Sequence, residues 1–463
     1  MPRTDADRTA ALRALPSVDK LLREDALAGL AKPALTRVVR QLVDELRAAA
    51  RDGALDLEEL RRRCAPAELV RTVTARCEAL QRRRHERVYN ATGIVLHTGI
   101  GRAPLAPEAV AAVTEAAGYA VVEVDPVSGK RDQRELAVAG LLTELTGAGG
   151  ALIVNNNAAA TTLMLAALTA GTEVVVSRGE LVEIGGGFRV PDVMKRAGCH
   201  MVEVGATNKT HVRDFRGATG EQTAAYLKVH PSNFRIEGFA STPSVRELRD
   251  LADANEAEVL VLDDLGSGFL TDAPLAGLVE EPRVSGSLAQ GAHVTCFSGD
   301  KLLGGPQCGI LVGDRELIAR CRAHPLYRAL RCDKLTHAAL EATLLLYRDT
   351  DPLETVPTLR MLAAAPDALR ARAESLAARL ERVGAAVVAS DSFAGSGANP
   401  AKPLASFATA VPGGDAECDR LRAARPVSLF ARVKDGKVLL DARTLLTEDL
   451  DEVARAVEGA LGA

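Results

Sequence analysis

The stretch His293-Val-Thr-Cys-Phe-Ser-Gly-Asp-Lys-Leu-Leu-Gly-Gly-Pro-Gln-Cys-Gly-Ile310 decides how this chain is read. Apolar residues lead into a polar turn, the turn carries Lys301, a Gly-Gly-Pro loop follows, and a second apolar run opens at Ile310. The pattern predicts strand, turn, strand, with one lysine held at the turn. A lysine on a rigid turn, flanked by small residues that admit a ligand, suits Schiff-base chemistry. The plain alternative is a surface lysine in a hairpin loop. Against it, Ser298 and Asp300 crowd the same turn, and two motifs upstream fit the same chemistry.

The first of these is Glu258-Val-Leu-Val-Leu-Asp-Asp264, the strongest buried-strand pattern in the chain, which ends in two aspartates before Leu-Gly-Ser-Gly268. The second is Ala151-Leu-Ile-Val154, a short predicted strand that runs into Asn155-Asn-Asn-Ala-Ala-Ala160. Asn caps helices well, and the small residues let a ligand close on free N–H groups at the positive end of the helix dipole, a phosphate cradle. Further strands are predicted at 173–177, 199–204 and 224–230, with helices between them. This alternation argues an α/β fold with a mostly parallel, doubly wound sheet, whose ligands sit at the carboxyl ends of the strands. Asn155–Ala158, Asp264 and Lys301 would then converge.

That combination matches pyridoxal phosphate, which needs a lysine for its aldehyde, an acid for its ring nitrogen and a cradle for its phosphate. Lys301 fits the first role and Asp264 the second; Asn157, Ala158 and Ser298 fit the third. Asp263 is the neighbouring alternative for the acid, and strand alternation lets only one of the two face the ring. Arg102 follows Gly99 and Gly101, a setting in which its planar fork can meet an anion or form a surface ion pair.

The flanks read differently. Leu12, Leu15, Val18, Leu21 and Leu22, then Val38, Val39, Leu42, Val43 and Leu46, keep helical spacing, and Leu57–Leu80 predicts one or two further helices interrupted at Pro66. Residues 1–85 are therefore expected to be a helical domain, 86–345 a catalytic core, and 346–463 a small α+β domain. In the last, a long amphipathic helix is predicted over 355–384. Strands at 385–390 and 404–410 flank a loop Ser392–Pro403, a helix follows near 415–424, and a hairpin turns at Asp435-Gly436.

Composition narrows the function classes. The chain has 463 residues, 47% hydrophobic and 25% charged, as soluble globular proteins do. It lacks an apolar run long enough to span a membrane and an apolar segment near its start that would serve as a signal peptide. Its eight cysteines are scattered without zinc-ligand spacing, which reads as reduced thiols in the cytoplasm and no metal. Residues 1–89 hold 19 Lys and Arg against 14 Asp and Glu, a net +5 in a chain of net −4. The excess gathers in Arg61-Arg-Arg63 and Arg82-Arg-Arg84, which suits a polyanion such as nucleic acid, or a solvated helix face.

Five runs resemble the bacterial selenocysteine synthases, the L-seryl-tRNA(Sec) selenium transferases. They are Phe297–Gln307, Val154–Ala160, Ser177-Arg-Gly-Glu-Leu-Val-Glu-Ile-Gly-Gly186, Asp264–Gly268 and His324-Pro-Leu-Tyr-Arg-Ala-Leu-Arg331, and Leu15–Arg23 extends the likeness into the N-terminal region. The resemblance implies a fold type I pyridoxal-phosphate transferase that assembles as a homodecamer, a pentamer of dimers. It implies an N-terminal domain that binds tRNA(Sec), and a reaction that converts L-seryl-tRNA(Sec) to L-selenocysteinyl-tRNA(Sec) through an aldimine and an aminoacrylyl-tRNA. It carries Arg102, Arg328 and Arg331 over as the anion site for selenophosphate; three apart on a helix, the last two would reach one side. Lys301 is then the base for the α-proton, and Asp300 tunes its charge, relays a proton or caps the turn. Two rival readings are a pyridoxal lyase or aldolase on small amino acids or sugar acids, which would not need residues 1–85, and a catalytically silent tRNA-binding protein, against which Lys301 stands.

Overall fold

A computed structural model of the protein describes residues 13, 15–52, 54–81, 85–231, 234, 236, 238–275, 277–395, 397 and 402–462. The chain divides into two compact units, Met1–Arg87 and Val88–Ala463.

The first unit is helical: Val18–Leu22, Lys32–Arg51, Leu57–Arg63 and Pro66–Gln81. The stripe read from the sequence is buried, since Val38, Val39, Leu42, Val43 and Leu46 of the long helix are all inside, and Leu35 joins them. Leu35, Val38, Val39, Leu42 and Leu46 pack with Leu60, Leu69, Val73 and Cys77. Pro66 starts a helix, where its missing N–H costs nothing. Asp56 caps the preceding one by accepting from the Glu59 N–H at 2.7 Å. Two arginines of the first triplet are paired: Arg62 and Arg63 lie 2.7 and 2.8 Å from Glu59. Leu12 and Arg82–Arg84 lie outside the described residues.

The second unit is built on a seven-stranded sheet. Its order across the sheet is Gly150–Val154, Gly309–Gly313, Val294–Ser298, Leu260–Gly266, Thr223–Val229, Glu173–Ser177 and His200–Val204. Gly309–Gly313 runs antiparallel to both neighbours, and the remaining pairs are parallel. Most of these strands are buried along their length, as the continuous Val, Ile and Leu runs require of a sheet covered on both faces. The Lys301 segment is the predicted strand–turn–strand, with Ser298 paired to Gly309 across the ladder.

A five-stranded sheet lies beyond it, ordered Arg432–Lys434, Lys437–Asp441, Pro403–Pro412, Ala386–Gly395 and Ile94–Leu96. The last strand comes from the start of the unit, and Val88–Asn90 pairs in parallel with Ser428–Phe430. Residues 88–96 therefore belong structurally with the tail and not with the large sheet, because Tyr89 and Ala91 are buried among tail residues such as Leu421, Leu429 and Leu440.

The helix expected over 355–384 is instead Pro352–Thr355, Pro357–Ala363 and Pro366–Arg379. Each proline removes an N–H and restarts the helix at its own first turn. The loop expected at Ser392–Pro403 is shorter, because Ser392 lies in a strand that runs on to Gly395. At the hairpin, Asp435 and Gly436 have φ of 52° and 68°, the positive pair of a type I′ turn.

Candidate active site

The turn that carries Lys301 is tied to its surroundings at each end. Gly299 N–H donates to Cys308 O at 2.9 Å, Gly305 N–H to Gly299 O at 2.9 Å, and Leu302 N–H to Ser267 O at 3.0 Å. Tyr347 Oη donates to Leu303 O at 2.9 Å from a helix behind the turn. Lys301 itself is buried, only 6% exposed. Burial lowers the pKa of its amine, Arg102 pushes the same way, and Asp264 and Asp300 oppose them.

A cavity of about 260 Å³ opens over this lysine. Arg102, Asn157, Ala158, Asp264, Ser298 and Asp300 all line it together with Lys301. The two adjacent aspartates are separated by the pleat. Asp264 accepts from Asn157 Nδ2 at 2.7 Å and Thr161 Oγ1 at 2.9 Å, on the cavity side. Asp263 points to the other face, where it accepts from Ser287 Oγ at 2.5 Å. Burial raises the pKa of both, Asp263 to about 6.

Helix Asn157–Thr169 begins at the cavity. Asn156 caps it by accepting from the Ala159 N–H at 2.9 Å, which leaves the N–H groups of Asn157 and Ala158 without intrahelical partners. The Asn157 side chain is engaged with Asp264, so its share in a cradle is its backbone; its Oδ1 is buried with no hydrogen-bond partner. Arg102 holds a left-handed backbone, φ 62°, a conformation that costs a long side chain roughly 1–3 kcal/mol and clusters at functional sites. Its Nη1 donates to Asp300 Oδ2 at 2.8 Å.

Arg328 and Arg331 lie outside this cavity. Their predicted shared helical face does not form: the helix is Pro325–Leu330, and Arg331 follows it in extended backbone. Arg328 is exposed, and Arg331 sits 3.4 Å from Glu123. The rim is nonetheless close, because Asn155 N–H donates to Leu330 O at 2.8 Å.

Sequence reasoning missed Thr161, His230, Gln307 and Gly397. Thr161 is one helical turn from Asn157, and His230 directly follows the strand Thr223–Val229 at the carboxyl edge of the sheet, so both left a signal. Gly397 left none. A Cβ there would lie 2.7 Å from Lys301 Cε and Nζ, and the backbone has φ 89°, so a glycine suits the close approach of the tail to the lysine.

The residues present fit pyridoxal phosphate. A buried carboxylate with a raised pKa is stabilised by a cation set against it, as a protonated ring nitrogen would be. The helix start and Ser298 supply donors for a phosphate, and a buried amine faces the space between.

Fold and site together define a fold type I pyridoxal-phosphate enzyme. A solved structure of a D-glucosaminate-6-phosphate ammonia-lyase shares this fold with TM-score 0.57 at 21% identity, over 83% of this chain and 97% of that one. Within the class, residues 88–446 match the model of the L-seryl-tRNA selenium transferase family and residues 12–47 that of the selenocysteine synthase N terminal. The L-seryl-tRNA(Sec) selenium transferase of Moorella thermoacetica is 46% identical over 97% of both chains. That of Geobacter metallireducens is 46% identical over 96% of this chain and 98% of its own. The chain belongs to the L-seryl-tRNA selenium transferase family.

Borohydride reduction of the holoenzyme followed by peptide mapping should place a pyridoxyl group on Lys301, and an adduct on another lysine would overturn the assignment.

Asp263 gives a pH signature. Its folded value of about 6 exceeds the ordinary 3.8, so its contribution to stability is complete below about pH 4 and lost as pH rises through 6. Asp263→Asn should therefore stabilise the protein at pH 8 by up to about 3 kcal/mol, at ~1.4 kcal/mol per pKa unit, with no gain at pH 4. Thermal melts at the two pH values check this; equal gains at both would refute it.

Proposed function

We propose that the chain converts L-seryl-tRNA(Sec) to L-selenocysteinyl-tRNA(Sec), with selenophosphate as the selenium donor and phosphate as the second product. The observation that carries the reading is that the family likeness runs through both units, including an N-terminal unit that an enzyme of small amino acids would not need. The test is to mix the pure holoenzyme with Ser-tRNA(Sec) and selenophosphate and analyse the aminoacyl group of the product; serine alone would refute the reading.

Pyridoxal phosphate, when bound, withdraws electrons from the α-carbon of an amino acid held on it. In this reading Asp264 keeps a proton on the ring nitrogen, and Asn157, Ala158 and Ser298 hold the phosphate. Lys301, whose burial favours the neutral amine, would take the α-proton of the seryl group. Hydroxide would leave from Cβ, the selenium of selenophosphate would bond there, and the Se–P bond would break with the phosphoryl group passing to water as phosphate. Asp300 orients Arg102, and the pair leaves the lysine less strongly held in its charged form. Arg102, Arg328 and Arg331 bind selenophosphate; the last two swing inward or serve the cavity of a second copy.

Assembly as a homodecamer, a pentamer of dimers, belongs to the same reading. It is supported by an apolar segment left exposed on the single chain, with Tyr119, Val121 and Val127 uncovered. The enzyme would work in the cytoplasm, where charged tRNA is found; among the described residues no helix is long and apolar enough to cross a membrane.

The N-terminal unit would bind the tRNA. Its ion pairs at Arg62, Arg63, Arg71 and Arg76 are surface pairs, each worth about 0–1 kcal/mol and readily exchanged for phosphate. Deleting residues 1–85 should abolish tRNA binding and leave the visible absorbance of the cofactor in place. In the full chain, affinity should fall steeply with salt. Unchanged tRNA affinity after the deletion would refute the assignment.

For the arginines, Arg328→Ala should slow selenium transfer at least about tenfold, the loss of roughly 1.4 kcal/mol from charge-assisted bonds worth about 1.5–3. Cofactor absorbance and seryl-tRNA binding should change much less, and Arg328→Lys should rescue only part, since it lacks the planar fork. A parallel fall in transfer and seryl-tRNA binding would mean that Arg328 touches the tRNA or the fold instead.

A further inference from the structure

A second cavity, also of about 260 Å³, opens beside the Lys301 cavity, and His230 lines both. The shared wall is fixed to the catalytic strand, because His230 N–H donates to Asp264 O at 2.9 Å. The function proposed above makes no use of this second space. We propose that it is the subsite for the 3′-terminal nucleoside of the aminoacyl-tRNA. The proposal rests on that function, and three observations carry it.

The first is distance. The reacting amino nitrogen is joined to the terminal ribose oxygen through only Cα and the carbonyl carbon, a reach of no more than roughly 4 Å at ordinary bond lengths. Whatever holds the nucleoside must therefore border the space over Lys301, and the second cavity shares a wall with it. Its volume lies just below the ~300–1,000 Å³ typical of drug-sized ligands, which suits one nucleoside.

The second is chemical character. Phe234 and Ile236 offer apolar surface, while Asn208, Lys209 and Ser241 offer polar edges. A nucleobase needs both, a face to stack on and an edge to hydrogen-bond. The cavity suits a second anion poorly, since Glu180, Glu280 and Glu281 all line it.

The third is an unmet acceptor. Glu281 is buried, its side chain 1% exposed, and its Oε1 has no hydrogen-bond partner. It faces His230 Nε2 at 3.6 Å, an ion pair when that imidazole is protonated but beyond hydrogen-bond reach, so its hydrogen-bonding capacity stays open. Buried carboxyl oxygens rarely stay unpaired, and a hydroxyl or amino group of a bound nucleoside would supply the donor.

The probe is a hydrolysis-proof amide, 3′-(L-serylamino)-3′-deoxyadenosine, compared with L-serinamide. Each is titrated into the full-length holoenzyme while the visible absorbance of the cofactor is followed. The nucleoside amide should half-saturate at a concentration at least tenfold lower than serinamide. Ala240→Trp, which places bulk at the rim of the second cavity, should erase that advantage, and Ala206→Trp tests the same point from another segment should the first variant not fold. Equal half-saturation of the two probes in the unaltered enzyme would overturn the subsite, as would a tenfold advantage that survives in a folded Trp variant. Turnover of seryl-tRNA by the same preparation separates the two readings: turnover without a nucleoside advantage overturns the subsite alone, and no turnover overturns the function on which it rests.

Discussion

A buried amine held among carboxylates is the constraint on which the catalytic unit depends. Taking Lys301 out of water favours its neutral form, while Asp264 and Asp300 favour the charged one. Burial is the largest influence, and Arg102 adds to it, because its guanidinium repels the lysine while pairing with Asp300. The four groups come from distant parts of the chain. Asp264 lies on one strand, Asp300 and Lys301 on the turn after the next, and Arg102 on a left-handed backbone ahead of the whole sheet. A central strand buried on both faces, and a turn closed by three backbone hydrogen bonds and one from Tyr347, hold these groups in register.

Much of this was legible in the sequence, and the reason is periodicity. Lys301 and Asp264 each stand at the end of an apolar run, so their place at strand ends follows from the pattern alone. The choice between Asp263 and Asp264 needed the pleat: one meets Ser287 on the far face, the other Asn157 and Thr161. Gly397 and Glu281 come from segments without period, and no local rule brings the first to the lysine or the second to the wall of the neighbouring cavity. The same reliance on period misled the reading over 355–384, where apolar spacing continues across Pro357 and Pro366 although the backbone hydrogen bonding cannot. Arg328 and Arg331 show a related failure: three-residue spacing means a shared face only while the helix lasts, and this one stops at Leu330.

The strand Ile94–Leu96 carries a consequence for how the molecule is made. It lies at the edge of the tail sheet against Ala386–Gly395, so that sheet joins segments synthesised almost 300 residues apart, and the second unit stays unfinished until its C-terminal part has left the ribosome. The entropy of closing so long a loop is modest, since each doubling of length adds only about 0.6 kcal/mol. The hazard is kinetic: until Ile94–Leu96 docks, Ala386–Gly395 presents an open row of N–H and C=O groups, the kind of edge through which nascent chains join one another. The helical N-terminal unit, closed by contacts between neighbouring helices, can be complete long before then. Val88–Leu96 thus waits, already synthesised, as the guard for an edge that does not yet exist.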